Sequence, residues 1–342
     1  MEDIIYDHYV AIDWAIKNMA IARMTAKSNK ITVIDVPSCV AELQAYLKNL
    51  KGTKILTLEE TTTSQWLYTE LKDHVDKILV CDPYRNRLLT EGPKTDKIDA
   101  SKLVQLLRSN LLKEVYHSGE QFLNLRKLTS GYEDLIKAGV RLKNQRYSLL
   151  RACGLTGEEK KDKVNLSNPN DELVLKSVER QIEVYEKEKK NYEGEFSTLA
   201  KKYPEIKMQT SLPGIGIIGA VKIVSRIVCP QRFADAGHFL SYVGLVKLEK
   251  RSGMVLYGRK NSRYSRTMKY VYKIGAMAAI GGNNEINDCY EYLIKEKGYA
   301  NYNARHKACR RLAILSYGVF KSGKKYQPKR RQNITDEKNQ EI

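Results

Sequence analysis

Four carboxylates in the N-terminal third of the chain have the types and positions of a metal site. Asp96 and Asp99 are three residues apart at the start of an apolar helical pattern, so both side chains would lie on one helix face. Asp13 and Glu60 each lie near the end of a run of apolar and β-branched residues, which is typical of strands. A carboxylate at the end of a buried strand is costly unless it is paired or bound to a cation.

Oxygen ligands of this kind suit Mg²⁺ or Mn²⁺, and carboxylate-bound Mg²⁺ drives phosphoryl transfer in many enzymes. Taken alone, the helical pair has a simpler explanation: Asp96 caps the helix and Asp99 is a solvated acid of its first turn. The order of the surrounding elements favours the metal site.

The hydrophobic pattern predicts that order along the first 112 residues. We expect strands over 8–14, 18–25, 30–36, 54–59 and 77–81, and helices near 40–50 and 63–73 and again from Asp96. Short turns between the first three strands indicate antiparallel hairpins, and the later alternation of strands and helices indicates parallel pairing. The sequence therefore predicts a mixed sheet with helices on its faces.

A second candidate for chemistry is the basic segment around Ser252. An exposed serine beside Gly253 could act as a nucleophile if guanidinium groups held a phosphate and a metal or base took its proton. The candidate phosphate-binding residues are Lys247, Lys250, Arg251, Arg259, Lys260, Arg263 and Arg266. The simpler interpretation is an ordinary turn. Ser241 is the main rival nucleophile, although its spacing from Phe239 predicts a half-buried helix, and His238 is expected on a helix surface or in packing.

Gly214 and Gly216, which precede this serine in the sequence, are a further candidate for phosphate binding. Glycines at a tight turn before a helix expose backbone N–H groups that can bind a phosphate, as in helix-hairpin-helix DNA-binding motifs. The alternative is close packing alone. The pair does not indicate a dinucleotide site, because no strand-forming run precedes it.

Two long amphipathic patterns, over 120–152 and 172–203, predict an antiparallel helical hairpin joined by a polar loop. Its helices could pair with another copy of the chain, or they could pack only within their own chain. The residues from 324 to 342 are charged and poor in apolar side chains, which is typical of a disordered tail.

Composition favours a nucleic-acid partner. There are 59 Lys and Arg against 40 Asp and Glu, which gives a net charge of +19. A ribosome-associated or merely basic soluble protein would also fit this charge. Many of the 22 tyrosines, Tyr299 and Tyr302 among them, interleave with Lys and Arg, and this pattern permits base stacking.

The cysteines and the N-terminus indicate the compartment. The six cysteines are scattered without a Cys-x-x-Cys pair, as expected for reduced cytoplasmic thiols and not for a zinc site or disulfides. The acidic start, Met1-Glu2-Asp3, argues against a signal peptide, and no apolar run is long enough for a membrane span.

Several of these motifs resemble the Asp-Glu-Asp-Asp transposases of insertion sequences that are related to the Piv pilin-gene invertase. The resemblance lies in Ala11-Ile12-Asp13-Trp14, Glu60-Thr61-Thr62, Asp82-Pro83, Lys94-Thr95-Asp96-Lys97-Ile98-Asp99-Ala100, Ser211-Leu212-Pro213-Gly214-Ile215-Gly216, Tyr242-Val243-Gly244-Leu245 and Arg251-Ser252-Gly253. It implies an RNase H-like (RuvC-like) α/β domain, a helical hairpin or coiled coil, and a mainly helical C-terminal transposase domain. We expect these domains at 1–115, 116–205 and 206–323, before the tail at 324–342.

The resemblance also implies an activity. A divalent metal, Mg²⁺ or Mn²⁺, would be held by Asp13, Glu60, Asp96 and Asp99, and Ser252 would attack DNA to form a phosphoserine during strand exchange. The implied partners are donor and target double-stranded DNA, a structured noncoding guide RNA from the element (a bridge RNA), and further copies of the chain in a dimer or tetramer. No membrane partner is expected.

The second acid departs from the family pattern, because Glu59 and Glu60 are adjacent. We favour Glu60, which continues the alternation of Leu56 and Leu58. Two other functions remain alternatives: a metal-dependent Holliday-junction-type endonuclease that uses water, and a non-catalytic RNA-binding protein.

Overall fold

The computed structural model describes residues 5–83, 95–117, 122–155, 164, 166–261 and 263–328. The chain forms two compact units, 1–120 and 121–342. The first is mixed α/β, and the second is mainly helical. Within the described part of the chain, no helix is both long enough and apolar enough to cross a membrane. All six cysteines are free thiols in this structure.

The first unit is built on a five-stranded sheet. Its strands are β1 His8–Trp14, β2 Asn18–Thr25, β3 Ser28–Pro37, β4 Lys54–Glu59 and β5 Lys77–Cys81, in the spatial order β3-β2-β1-β4-β5. β2 pairs antiparallel with β1 and β3, whereas β4 pairs parallel with β1 and β5. The predicted mixed sheet is therefore confirmed, and four of the five strands have the expected bounds.

Helices cover both faces of this sheet. α1 Val40–Asn49 and α2 Ser64–Leu71 pack with Ile12, Leu56 and Leu58 in one buried cluster. α3 Asp96–Arg108 packs with Tyr9, Ala11 and Ile55 in a second cluster on the opposite face. Alternation of side chains along each strand produces the two layers, since even-numbered residues of β1 and β4 face α1 and α2 and odd-numbered ones face α3.

The second unit begins with the expected helical hairpin, α4 Leu123–Ala152 and α5 Pro169–Lys202. Cross-helix contacts show that the two are antiparallel: Lys143 pairs with Glu186, and Arg146 pairs with Glu179. α5 begins three residues earlier than predicted because Asn168 caps it, accepting a hydrogen bond from the backbone N–H of Asn170 at 2.8 Å. Parts of the predicted connecting loop, 156–163 and 165, lie outside the described residues.

The remaining helices pack around an apolar core to which α4 and α5 also contribute. These remaining helices are α6 Pro204–Gln209, α7 Ile217–Ile227, α8 Ala236–Tyr242, α9 Arg266–Ala279, α10 Glu285–Lys295 and α11 Asn301–Ser322. Three fully buried polar side chains bond inside this core: Ser316 donates to Gln209 at 2.6 Å and lies 2.7 Å from the hydroxyl of Tyr272. Most of the predicted tail, 329–342, lies outside the described residues.

A stability prediction follows from the helical hairpin. A Cβ atom at Gly139 of α4 would overlap the ring of Tyr185, which is buried on α5, whereas a Cβ at Gly194 of α5 would meet open space. We expect Gly139→Ala to lower the free energy of unfolding by about 1–3 kcal/mol through overpacking. Gly194→Ala, the matched control, should raise it by about 0.5–1 kcal/mol, because alanine favours the helix. Urea unfolding measures both; a Gly139→Ala protein as stable as the unmodified one would contradict the packing argument.

Candidate active site

Three acidic side chains lie at the carboxyl edge of the sheet, where the parallel strands β1, β4 and β5 end together. Asp13 is the penultimate residue of β1, and Glu59 is the last residue of β4. Asp82 follows β5 directly and is buried, with its backbone N–H bonded to the carbonyl of Lys113 at 3.1 Å. Asp82 was not among the predicted ligands, although an acid at the end of an apolar, strand-like run is the signal that singled out Asp13.

Asp96 and Asp99 occupy the first turn of α3 on the side that packs on the sheet. Ala100 and Leu103 of this helix are buried, and the two acids precede them by one helical turn, at i−4. Asp99 is half-buried, and Asp96 is exposed. The simpler explanation for Asp96 is wrong, because the helix cap is Thr95, whose hydroxyl accepts a hydrogen bond from the Ile98 N–H at 3.3 Å. Lys94 of this motif lies outside the described residues.

The start of α3 lies beside the end of β1. Asp96 lines an open cleft together with Ala15, Ile16, Lys17 and Asn18. These four residues form the turn between β1 and β2, closed by a hydrogen bond from the Ala15 N–H to the Asn18 carbonyl at 3.2 Å. Asp13 lies two residues before this turn, so the acids of α3 and the acid of β1 occur at one end of the sheet.

Because successive side chains of a strand point to opposite faces of the sheet, Glu59 and Glu60 would face different sides. Ile55 packs in the cluster of α3, and Leu56 and Leu58 pack in the cluster of α1 and α2. Glu59 therefore has the parity of the α3 face, as Asp13 does through Ala11. Glu60 follows the strand, and its N–H bonds the carbonyl of Cys81 at 2.9 Å. Glu60 was favoured because it continues the alternation of Leu56 and Leu58. Since those two leucines face α1 and α2, the same alternation directs the Glu60 side chain away from α3.

Among the described residues, no group of three or more His, Cys, Asp or Glu side chains is close enough together to hold a metal ion. The four predicted ligands thus share an end of the sheet without forming a closed ligand set. The donor chemistry nevertheless fits Mg²⁺, because this ion is usually bound by one or two carboxylates together with water and substrate phosphates.

Ser252 is the last residue of the first strand of an exposed β-hairpin that was not expected from the sequence. The hairpin consists of β6 Lys247–Ser252 and β7 Val255–Asn261, with Ser252 paired to Val255 across a two-residue turn. Gly253 has φ +57° in that turn, which suits the first central residue of a type II′ turn. Every residue of β6 is exposed, so the hydroxyl of Ser252 lies on a surface.

Glu249 lowers the positive charge expected around this serine. Its carboxylate pairs with Arg251 at 2.8 Å and with Arg259 at 3.4 Å. Both pairs are exposed, and exposed pairs contribute little to stability, so a phosphate could compete for either guanidinium. The other candidate phosphate-binding residues lie along the hairpin, between it and α9, and at the start of α9. They are Lys247, Lys250, Lys260, Arg263 and Arg266.

The rival residues lie on α8. Ser241 is half-buried there, as the spacing predicted. His238 is exposed, with its ring 3.0 Å from the carboxylate of Asp235, which confirms a surface position. The backbone N–H of His238 donates to the same carboxylate at 2.8 Å and holds the pKa of Asp235 below its usual value.

The two glycines before α7 have different structural roles. Gly214 has φ +74°, and a Cβ atom there would overlap the carbonyl oxygen of Gly275 in α9, so close packing accounts for it. Gly216 is the exposed N-cap of α7 with open space around its Cα. The exposed N-cap position of Gly216 is thus compatible with the predicted phosphate binding. Gly214 needs no such role, because packing against α9 explains it.

Two family models match this chain. The IS110 transposase domain of the DEDD type matches residues 10–154, and the transposase domain of the IS116/IS110/IS902 family matches residues 207–291. A Streptomyces coelicolor protein described as "Insertion element IS110 uncharacterized 43.6 kDa protein" is 21% identical over 157 residues. That match covers 46% of this chain and 38% of the relative, so less than two thirds of the relative's length is represented.

Proposed function

Because this chain carries both domains of the IS110 family of transposases, we propose that it cuts and rejoins the DNA strands of an insertion sequence by phosphoryl transfer. The observation that carries the proposal is the presence of Asp13 and the acids of α3 at one end of the sheet, in a chain that also exposes Ser252 on a hairpin.

The metal ligands in this proposal are Asp13, Asp96, Asp99 and one glutamate. Strand parity supports Glu59 over Glu60, because Glu59 shares the α3 side of the sheet with Asp13. Mg²⁺ or Mn²⁺ bound there would stabilise the negative charge that develops on the attacked phosphate. The strand order, with β1 between an antiparallel and a parallel neighbour, supports an RNase H-like arrangement related to RuvC.

Ser252 supplies the nucleophile. Its Oγ would form a bond to phosphorus while a base accepts the serine proton, and the DNA oxygen that leaves would take the electron pair of the broken P–O bond together with a proton, to become a free hydroxyl. Arg251 and Arg259 would exchange their pairing with Glu249 for the phosphate oxygens. A transient phosphoserine conserves the energy of the phosphodiester, so the strand can be rejoined without an external energy source.

The partners we propose are donor and target duplex DNA, a structured noncoding guide RNA from the element, and further copies of the chain. The charge of +19 supports the two nucleic acids. Exposed apolar side chains on the helical hairpin support association with further copies. Val140 of α4 and Leu173 and Val184 of α5 are each at least half exposed.

A covalent adduct tests this function. We expect DNA labelled at the cut site to remain attached to the protein on a denaturing gel, with the label on the peptide that contains Ser252. Ser252→Ala should abolish the adduct and strand exchange, whereas Ser241→Ala, the matched serine of the same unit, should retain both. A Ser252→Ala protein that still cuts DNA would instead support the water-using endonuclease.

A further inference from the structure

Three exposed tyrosines lie close together in the sequence: Tyr292 in the last turns of α10, Tyr299 in the connection that follows, and Tyr302 in the first turn of α11. Tyr292 is 51% exposed, Tyr299 is 37% exposed and Tyr302 is 81% exposed. Exposed aromatic rings leave apolar surface in contact with water, and rings of this kind are the usual stacking contacts for unpaired bases. We call this surface the tyrosine elbow.

The backbone of the tyrosine elbow is ordered by its own hydrogen bonds. The N–H of Tyr299 donates to the Leu293 carbonyl at 2.9 Å, and Gly298 has φ +62° in the turn between them. The hydroxyl of Tyr290 donates to the Asn301 side chain at 3.0 Å and joins the end of α10 to the start of α11. The exposed rings are thus held on a fixed support, which reduces the entropy that binding would cost.

Cations accompany the rings. The Nζ of Lys297 lies 5.7 Å from the ring centroid of Tyr292, and the Nζ of Lys307 lies 4.8 Å from that of Tyr299. The segment 295–311 has six Lys and Arg and a single acid, Glu296. Two of these cations pair with acids of α10, namely Lys295 with Glu291 and Arg311 with Glu285. The surface therefore combines flat aromatic faces with positive charge.

We propose that the tyrosine elbow binds single-stranded nucleic acid, with unpaired bases stacked on Tyr299 and Tyr302 and backbone phosphates near Lys297 and Lys307. Stacking requires an open base face, which a continuous duplex does not offer along its length. Tyr292, Tyr299 and Tyr302 all lie beyond residue 291, where the second family match ends, so this surface lies outside both matched segments. The proposal concerns binding alone and does not depend on the chemistry of Ser252.

Fluorescence anisotropy of the full chain with labelled oligonucleotides of about 15 nucleotides tests the proposal. The probes are an oligodeoxythymidine, an oligouridine and a mixed-sequence DNA duplex. Replacing both Tyr299 and Tyr302 by Ala should weaken single-strand binding at least about fivefold and leave duplex binding within about twofold. The single strand with the larger loss identifies DNA or RNA as the ligand class.

Two controls separate stacking from other causes. Replacing the same tyrosines by Phe keeps the rings and should preserve single-strand binding within about twofold. Tyr147→Ala removes a tyrosine of α4 that is 49% exposed with the Arg151 guanidinium 5.0 Å from its ring centroid, and it should have no such effect. Thermal melting of each variant shows that the fold is retained.

The proposal fails if the double Ala variant is folded and binds both single strands as the unmodified chain does. It also fails if that variant loses duplex and single-strand binding equally, because the elbow would then contribute only charge or structure. An equal loss in the Phe variant would likewise exclude stacking.

Discussion

Replacing Asp13 by Asn is expected to abolish strand exchange while the protein stays folded and still binds nucleic acid. The substitution keeps the size of the side chain and removes the negative charge that would hold a divalent cation at the end of β1. Loss of charge stabilisation at a reacting phosphate lowers rates by at least about a hundredfold. Asp99→Asn, on the sheet-facing side of α3, should have the same effect. Both are measured as recombinant product formed at a series of Mg²⁺ concentrations.

The adjacent glutamates provide a matched pair for the same assay. Glu59→Gln should abolish strand exchange, and Glu60→Gln should leave most of it, because only Glu59 has the parity of the α3 face. The reverse result would restore Glu60 as the ligand and show that the chain turns after β4 to present it. If Asp13→Asn retained full activity in Mg²⁺, the metal assignment at this edge would be wrong.

The fold of the first unit could be predicted because β1, β2, β4 and β5 contain mostly apolar, buried runs bounded by polar turns. Four strand ranges agree with the structure to the residue, and β3 extends only slightly further at both ends. The hairpin of β6 and β7 could not be found in this way. β6 has the sequence Lys-Leu-Glu-Lys-Arg-Ser and is exposed throughout, so no buried face imposes an alternating pattern.

The site was only partly predictable for a related reason. Spacing placed Asp96 and Asp99 on one helix face, since a helix fixes which residues share its face, but their role as ligands was predicted only from the order of the surrounding elements and stays a prediction. The choice between Glu59 and Glu60 depends on which face of the sheet α3 covers, and the sequence does not encode that directly. The pairing of Glu249 with Arg251 and Arg259 was likewise missed, because it depends on the register of a hairpin that was not expected.

Mixing two inactive proteins is expected to restore part of the activity. A Ser252→Ala chain keeps the acids of the first unit, and an Asp13→Asn chain keeps the serine of the second. Recombination of two duplexes requires several cuts, so several copies should act together on one DNA complex. If one copy offers its serine to a phosphate bound at the acids of another, a mixed assembly contains complete reaction centres.

We expect the mixture to form recombinant DNA well above the sum of the two proteins assayed separately, at equal total protein and in the same Mg²⁺ buffer. The protein trapped on DNA in denaturing gels should be the Asp13→Asn chain, marked by a size tag, because it alone carries Ser252. The matched control mixes Ser252→Ala with a chain carrying both substitutions; this mixture contains no Ser252 and should stay inactive. An inactive first mixture, with the unmodified chain active alongside, would mean that each chain supplies both its acids and its serine to the same phosphate. Separation of the two groups between copies would prevent a lone chain from cutting DNA, since neither half of the chemistry is complete without the assembly.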